Sequence, residues 1–116
     1  MKAILIDPVA QTVTEVEHDE SRSLESIYEL IKADCFDVVT INDQRDGIYV
    51  DDEGLFEENL YIFEYDAPER LMQPLQLAGR GLILGCDDEG GRTIEATITV
   101  EEVLSRVRFR GLCHLA

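Results

Sequence analysis

Basic residues are scarce in this 116-residue chain: ten lysines and arginines stand against 25 aspartates and glutamates, a net charge of −15. Such a field repels nucleic-acid phosphates and anionic lipid head groups, so direct binding to nucleic acid or to a membrane surface is not expected. The local exception is "RVRFR" (106–110), with three arginines. Cysteine is scarce too. Cys35, Cys86 and Cys113 are odd in number, widely spaced and form no CxxC pair, which argues against a disulfide framework and for reduced thiols. The apolar run "AILI" near the N-terminus is too short for a signal peptide or a membrane span. The expectation is a soluble, cytoplasmic protein.

Catalytic signatures are also missing. The chain contains no glycine-rich phosphate loop, no GxSxG and no HExxH. It has no linker, low-complexity tract or domain-scale repeat either. What remains is 45% apolar, enough for a modest core without staples, so one domain over 1–116 is expected.

The periodicities alternate between strand and helix. "MKAILIDPVAQTVTEVEH" reads as two strands joined by a turn at Asp7 and Pro8. In "SRSLESIYELIKADC", Leu24, Ile27, Tyr28 and Ile31 fall at i, i+3, i+4 and i+7, which predicts an amphipathic helix capped by Ser23. Five further segments read as short strands: "FDVVTIND", "GIYVDD", "NLYIFEY", "GLILGC" and "TIEATITV". Several of the loops between them are too short for a parallel crossover, so antiparallel pairing is expected. "APERLMQPLQLAGR" has room for a short helical turn interrupted by Pro74. "TVEEVLSRVRFRG" sets Thr99 and Glu102 at capping-box spacing before Val100, Val103, Leu104 and Val107, a second amphipathic helix with Gly111 beyond its end. The predicted class is α+β: a mainly antiparallel sheet of about five to seven short strands with two helices packed on it.

The tetrapeptide DDEG occurs twice, in "IYVDDEGLF" and "LGCDDEGGR". Carboxylates beside glycine serve metal sites, but Asp followed by Gly also serves hairpin turns, with Gly54 and Gly90 or Gly91 taking the positive φ. The turn reading explains both copies with one cause. An EF-hand reading of "NDQRDGIYVDDE" (42–53) suits Asp46, Gly47 and Glu53, but Asn42 and Gln44 weaken two ligand positions and the flanks read as strands. Cys113 and His114 are adjacent and His18 is distant in sequence; a Cys/His nucleophile needs them to meet in space, whereas buried cysteine and surface histidine are the commoner states. No metal, cofactor or catalytic residue is expected, and the protein is not expected to be an enzyme.

The acidity has a functional reading. From Asp43 to Glu69, ten carboxylates accompany a single basic residue, Arg45. Side chains two apart on a strand share a face at about 6.7 Å, close to the phosphate spacing of a nucleic-acid strand. The expected function is therefore a small acidic, non-enzymatic interaction protein, a nucleic-acid mimic that binds or inhibits a nucleic-acid-processing or defence protein of a bacterial host. Its partner is a basic protein surface, and the expected contact residues are Asp43, Asp46, Asp51, Asp52, Glu53, Glu57, Glu58, Glu64 and Asp66. The bland account is a solvated surface that keeps a small protein soluble. Should the second helix stop near Val107, Arg108 and Arg110 would share one side of an extended tail and pair with acids of this or a second copy. The alternative class is a module for a nucleotide or metabolite, seated near "LAGRGLILG" with Arg80 as the polar anchor; there Gly79, Gly81 and Gly85 also suit turns and strand ends. A third is a protein of unknown function without catalytic activity.

The blocks "MKAILIDPVAQTVTEVE", "LESIYELI", "CFDVVTIND", "IYVDDEGL" and "PLQLAGRGLILG", in that order, resemble a domain-of-unknown-function family of short uncharacterised proteins carried by bacteria, phages and plasmids. The resemblance runs from Met1 to about Glu89 and leaves "TVEEVLSRVRFR" outside. It implies a small α+β domain often encoded on mobile elements, and no catalytic residue.

Overall fold

The computed structural model describes residues 1–51, 59–68, 70, 72–87 and 92–114. The chain opens with the expected hairpin, β1 (Lys2–Asp7) against β2 (Thr12–Glu17), in register from Lys2 opposite Glu17 to Asp7 opposite Thr12. Asp7 builds its turn, its Oδ1 accepting from the amides of Val9 (3.0 Å) and Ala10 (3.2 Å). Then follow α1 (Ser23–Ile31), β3 (Phe36–Thr40), β4 (Gly47–Asp51), β5 (Asn59–Tyr65), β6 (Leu75–Ala78), β7 (Gly81–Cys86), β8 (Thr93–Ile94), α2 (Val100–Arg106) and β9 (Val107–His114). The class is α+β, antiparallel throughout, with two helices.

There are two sheets rather than the single one expected. The larger has the order β2-β1-β7-β4-β3, with β8 on the end of β7; the smaller is β6-β5-β9. The larger sheet is the middle layer. Because side chains alternate across a strand, Ile4, Ile6, Ile48, Val50 and Ile83 point to one face and meet Phe63, Tyr65 and Leu77 of the smaller sheet. Ala3, Leu5, Leu82 and Leu84 point to the other and meet Ile27 and Ile31 of α1. A strand buried on both faces shows no alternation, which is why "AILI" and "LIL" are continuous apolar runs.

Four local expectations change. α1 is not capped by Ser23: it is entered through a 3-10 turn (Glu20–Arg22) whose cap is Asp19, accepting from the Ser21 amide at 3.0 Å. "TIEATITV" yields only the two residues of β8, because Asp46 captures the backbone beyond it. Proline-flanked "PLQLA" is a strand, β6, on the edge of the smaller sheet where Pro74 interrupts no ladder. The chain past α2 continues as β9, so the described strands number nine.

Thr99 does cap α2, its hydroxyl accepting from the Glu102 amide at 3.2 Å. Val103 is the buried anchor of this helix. Among the described residues no helix is long and apolar enough to cross a membrane.

Candidate functional site

The two DDEG copies are placed differently. β7 and β8 pair antiparallel, and the Asp87 amide donates to the Arg92 carbonyl at 2.8 Å, so the second copy begins a hairpin connection. The first copy falls in sequence between β4 of the larger sheet and β5 of the smaller one, two strands that do not pair with each other. Residues 52–58 and 88–91 themselves, including Asp52, Glu53, Glu57 and Glu58, lie outside the described residues.

The remaining acids of the 43–69 stretch do not form one exposed row. Asp43 is exposed and approaches Arg70 at 3.8 Å. Asp51 and Asp66 are half-buried. Asp46, expected on the surface, is 0% exposed. Its Oδ2 accepts from Asn42 Nδ2 (2.8 Å), Thr97 Oγ1 (2.5 Å) and the Ile98 amide (3.2 Å), while Oδ1 accepts from the Thr97 amide (2.9 Å). A carboxylate is buried there because four donors replace its water. Glu64, also expected to be exposed, is 8% exposed and is held by Gln76 and Arg110, each at 3.2 Å. These two partners, Gln76 first, lower its pKa below the ordinary glutamate value.

Arg110 reaches Glu64 as the tail geometry anticipated. β9 runs beside β5 with Arg108 opposite Glu64, and the register slips so that Phe109 faces Phe63 while Gly111 faces Ile62. Arg110 is the extra residue of this bulge, and Gly111 supplies the positive φ of +72°. Arg80 is likewise engaged internally, pairing with Asp7 at 3.4 Å and donating to the Leu30 carbonyl at 3.3 Å near the end of α1. It is a clamp between β1 and α1. Gly79 sits in a turn at φ +79°, and Gly81 and Gly85 open and approach the end of β7, as their turn and strand-end reading required.

The acids that do gather lie elsewhere, around Lys2. Glu15 and Glu17 project from one side of the edge strand β2. Glu17 Oε2 holds the Met1 ammonium at 3.0 Å, and the ammonium pKa is raised by that bond first, with Glu20 and Glu95 adding to it. Glu95 Oε1 accepts from the Lys2 amide at 3.1 Å. Glu15 and Glu101 line a small cleft with Lys2. Most described arginines, in contrast, are turned onto the chain's own acceptors: Arg22 onto Glu29 (2.7 Å), Arg92 onto Asp87 (3.4 Å), Arg106 onto the Asp66 carbonyl (3.1 Å). The "TEVE" of β2 shows its two glutamates at strand spacing in the sequence; their meeting with Glu95 and Glu101 has no sequence signal.

His18 is 1% exposed, and its Nε2 lies 3.1 Å from Ser23 Oγ, which is 3.2 Å from Thr93 Oγ1. Cys113 and His114 are far from this trio in the topology, on β9 opposite Leu60 and Asn59. Among the described residues Nδ1 of His18 has no hydrogen-bond partner. An orphaned N–H costs more than an orphaned lone pair, so the proton is assigned to Nε2, donating to Ser23. In that tautomer the ring cannot take the serine proton, and the trio acts as a strut joining β2, α1 and β8. Burial lowers the His18 pKa, with the N-terminal ammonium reinforcing and Asp19 and Glu20 opposing.

Two clefts open on the helix-bearing face of the larger sheet. One, about 640 Å³, is lined by Ser23, Leu24, Phe36 and Ile94 among others; the second, about 610 Å³, lies over Gly47 with Arg45 and Arg70 at its rim. They share Val38 and Tyr49. Among the described residues no group of three or more His, Cys, Asp or Glu is arranged to hold a metal ion.

Fold and surfaces together define a small acidic α+β protein built of two packed antiparallel sheets. The chain belongs to the family described as a domain of unknown function (DUF3846), whose model matches residues 1–108. The match takes in α2 and the start of β9, so residues 99–108 of the C-terminal segment that the resemblance had left outside are part of the family domain. No curated protein and no solved structure matches the chain.

Proposed function

We propose that this protein is a small, non-catalytic interaction protein that engages the basic surface of a nucleic-acid-binding partner, in the setting of a bacterial host cell, through its acidic edge. The observation that carries the reading is the separation of charge. Arg22, Arg80, Arg92 and Arg110 are paired with the chain's own carboxylates, while Glu15, Glu17, Glu20, Glu95 and Glu101 crowd about Lys2 and the N-terminus. An unbalanced acidic edge steers a cationic groove toward it and weakens steeply with salt. Glu15 and Glu17, two apart on a strand, stand about 6.7 Å apart, so they present charge at phosphate-like spacing. The carboxylates at 52, 53, 57 and 58 and the exposed Asp43 extend the same reading to the chain between the sheets.

The test uses immobilised protein and nucleic-acid-free bacterial lysate, with retained proteins identified by mass spectrometry. Nucleic-acid-binding proteins are expected to be held, to be displaced by duplex DNA, and to elute between about 50 and 200 mM salt. The quadruple variant Glu15→Gln, Glu17→Gln, Glu95→Gln, Glu101→Gln is expected to lose them. A catch indifferent to salt, or one that the variant retains in full, overturns the proposal. Loss instead on neutralising residues 51–58 relocates the contact to the inter-sheet segment and rejects the edge.

A further inference from the structure

On the face of the larger sheet that carries α1, the outward positions are Val38 and Thr40 of β3, Gly47 and Tyr49 of β4, and Leu84 and Cys86 of β7. α1 covers the Leu5, Leu82 and Leu84 side of this face. Over Gly47 the face is left as an open cleft of about 610 Å³. That volume suits a small molecule. Gly47 is what keeps the floor low: a Cβ there would stand 2.8 Å from Val38 Cγ1. The Tyr49 ring forms one wall, fixed by its tilted contact with Phe36 at a centroid distance of 5.2 Å. Floor and wall are therefore flat and apolar, the surface against which an aromatic ring stacks.

The rim has the opposite character. Among the described residues, Arg45 and Arg70 stand at it with one carboxylate, Asp43, in a chain whose acids outnumber its bases by more than two to one. Arg70 forms a loose ion pair with Asp43 at 3.8 Å in which both side chains are exposed, so water and salt screen it and an incoming anion can compete for the guanidinium. Arg45 takes φ +67°, an uncommon conformation for a non-glycine residue that it shares with Gln11 and Lys32. Guanidinium groups pair with carboxylate or phosphate oxygens in a bidentate manner. Among the described residues lining the cleft, cationic side chains outnumber anionic ones, directly beside an apolar slot.

We propose that this cleft binds a small planar aromatic anion, its ring laid over Gly47 beside Tyr49 and its carboxylate or phosphate on Arg45 and Arg70. A nucleoside 5′-monophosphate and an aromatic carboxylate share this chemistry. The site is independent of the acidic edge, since it uses none of the glutamates there.

Cys86 lines the cleft and reports on it. In a Cys35→Ser, Cys113→Ser background, the rate at which a thiol reagent modifies Cys86 is measured with nucleoside 5′-monophosphates, with indole and naphthalene carboxylates, and with uncharged nucleosides and inorganic phosphate as controls. At a concentration ten times its Kd, the matching aromatic anion slows modification about tenfold by mass action. Which of the two anion series protects identifies the source. Arg45→Gln with Arg70→Gln, both exposed changes, abolishes protection while the melting temperature of the free protein is kept. No protection by any aromatic anion, equal protection by inorganic phosphate or by the uncharged nucleosides, or protection that survives the double arginine variant overturns the proposal.

Discussion

Asp46 and Thr97 lie 51 positions apart, and Asp46 accepts both the Thr97 amide at 2.9 Å and the Thr97 hydroxyl at 2.5 Å. With the Ile98 amide and Asn42 added, the buried carboxylate ties the β3–β4 turn to the irregular segment ahead of α2. That segment carries Ala96 and Ile98 into the core between the sheets. One side chain thus orders a stretch whose own residues make no ladder.

Asp46→Asn places an amide N–H2 against backbone donors it cannot satisfy. A loss of about 2–4 kcal/mol is expected, as for other broken buried networks. Thr97→Val removes one donor only and is expected to cost about 1 kcal/mol. Urea unfolding of the three proteins checks both, and equal stability of Asp46→Asn and the parent removes Asp46 from this role.

His18 sets a pH dependence whose sign follows from its depressed pKa. The unfolded histidine titrates at its ordinary value of 6.5, the buried one lower. Between the two, the unfolded state binds the extra proton. The contribution is fully present above 6.5 and is lost as pH falls through the folded value. Stability measured by urea at a series of pH values from 7 downward is expected to decline below 6.5, and His18→Gln, which keeps a donor toward Ser23, is expected to flatten that part of the curve.

Glu64 behaves oppositely in chemical type but alike in sign. Its folded pKa lies below the ordinary 4.5 because Gln76 and Arg110 donate to the carboxylate. Its contribution is present above 4.5 and disappears as pH falls through the folded value. In an NMR titration, Arg110→Gln is expected to move the Glu64 midpoint upward, and Gln76→Leu to do the same. An unmoved midpoint in both variants shows that neither partner holds the carboxylate.

Gly85 faces a backbone that cannot yield. A Cβ there would stand 2.7 Å from the Glu95 carbonyl oxygen and 3.0 Å from Ile94 Cγ1. Gly85→Ala is expected to push β8 from β7 and to cost about 1–3 kcal/mol, the range for overpacking. Gly79→Ala meets nothing within 4 Å and is strained only through its φ of +79°, so about 1 kcal/mol is expected. Thermal unfolding ranks the pair, and amide exchange at Thr93 and Ile94 detects release of β8 in the first variant alone.

Element type was legible where a local pattern is strong. The Asp7 turn, the i, i+3, i+4, i+7 spacing of α1 and the Thr99 cap of α2 are all written within a few residues of one another. The neighbours that displaced expectation act from far away. Ser23 is drawn from its expected capping role by His18 and Thr93, and "TIEATITV" is kept from extending as a strand by Asp46. The candidate sites follow the same division. Scarcity of basic residues pointed to an acidic surface, but Asp46 and Glu64, counted toward it, are buried against donors contributed by Thr97, Ile98 and Arg110.

The sequence by itself determined the α+β class, the antiparallel habit, the two helices and the sign of the molecule's field, because propensity, periodicity and charge are properties of short windows or of sums over the chain. The partition into two sheets, the burial of particular carboxylates, the edge where glutamates gather and the cleft with arginines at its rim were decided only by tertiary structure. Each depends on which distant strands pair and on which donors reach a side chain once water has been excluded, and neither quantity exists until the chain has closed on itself.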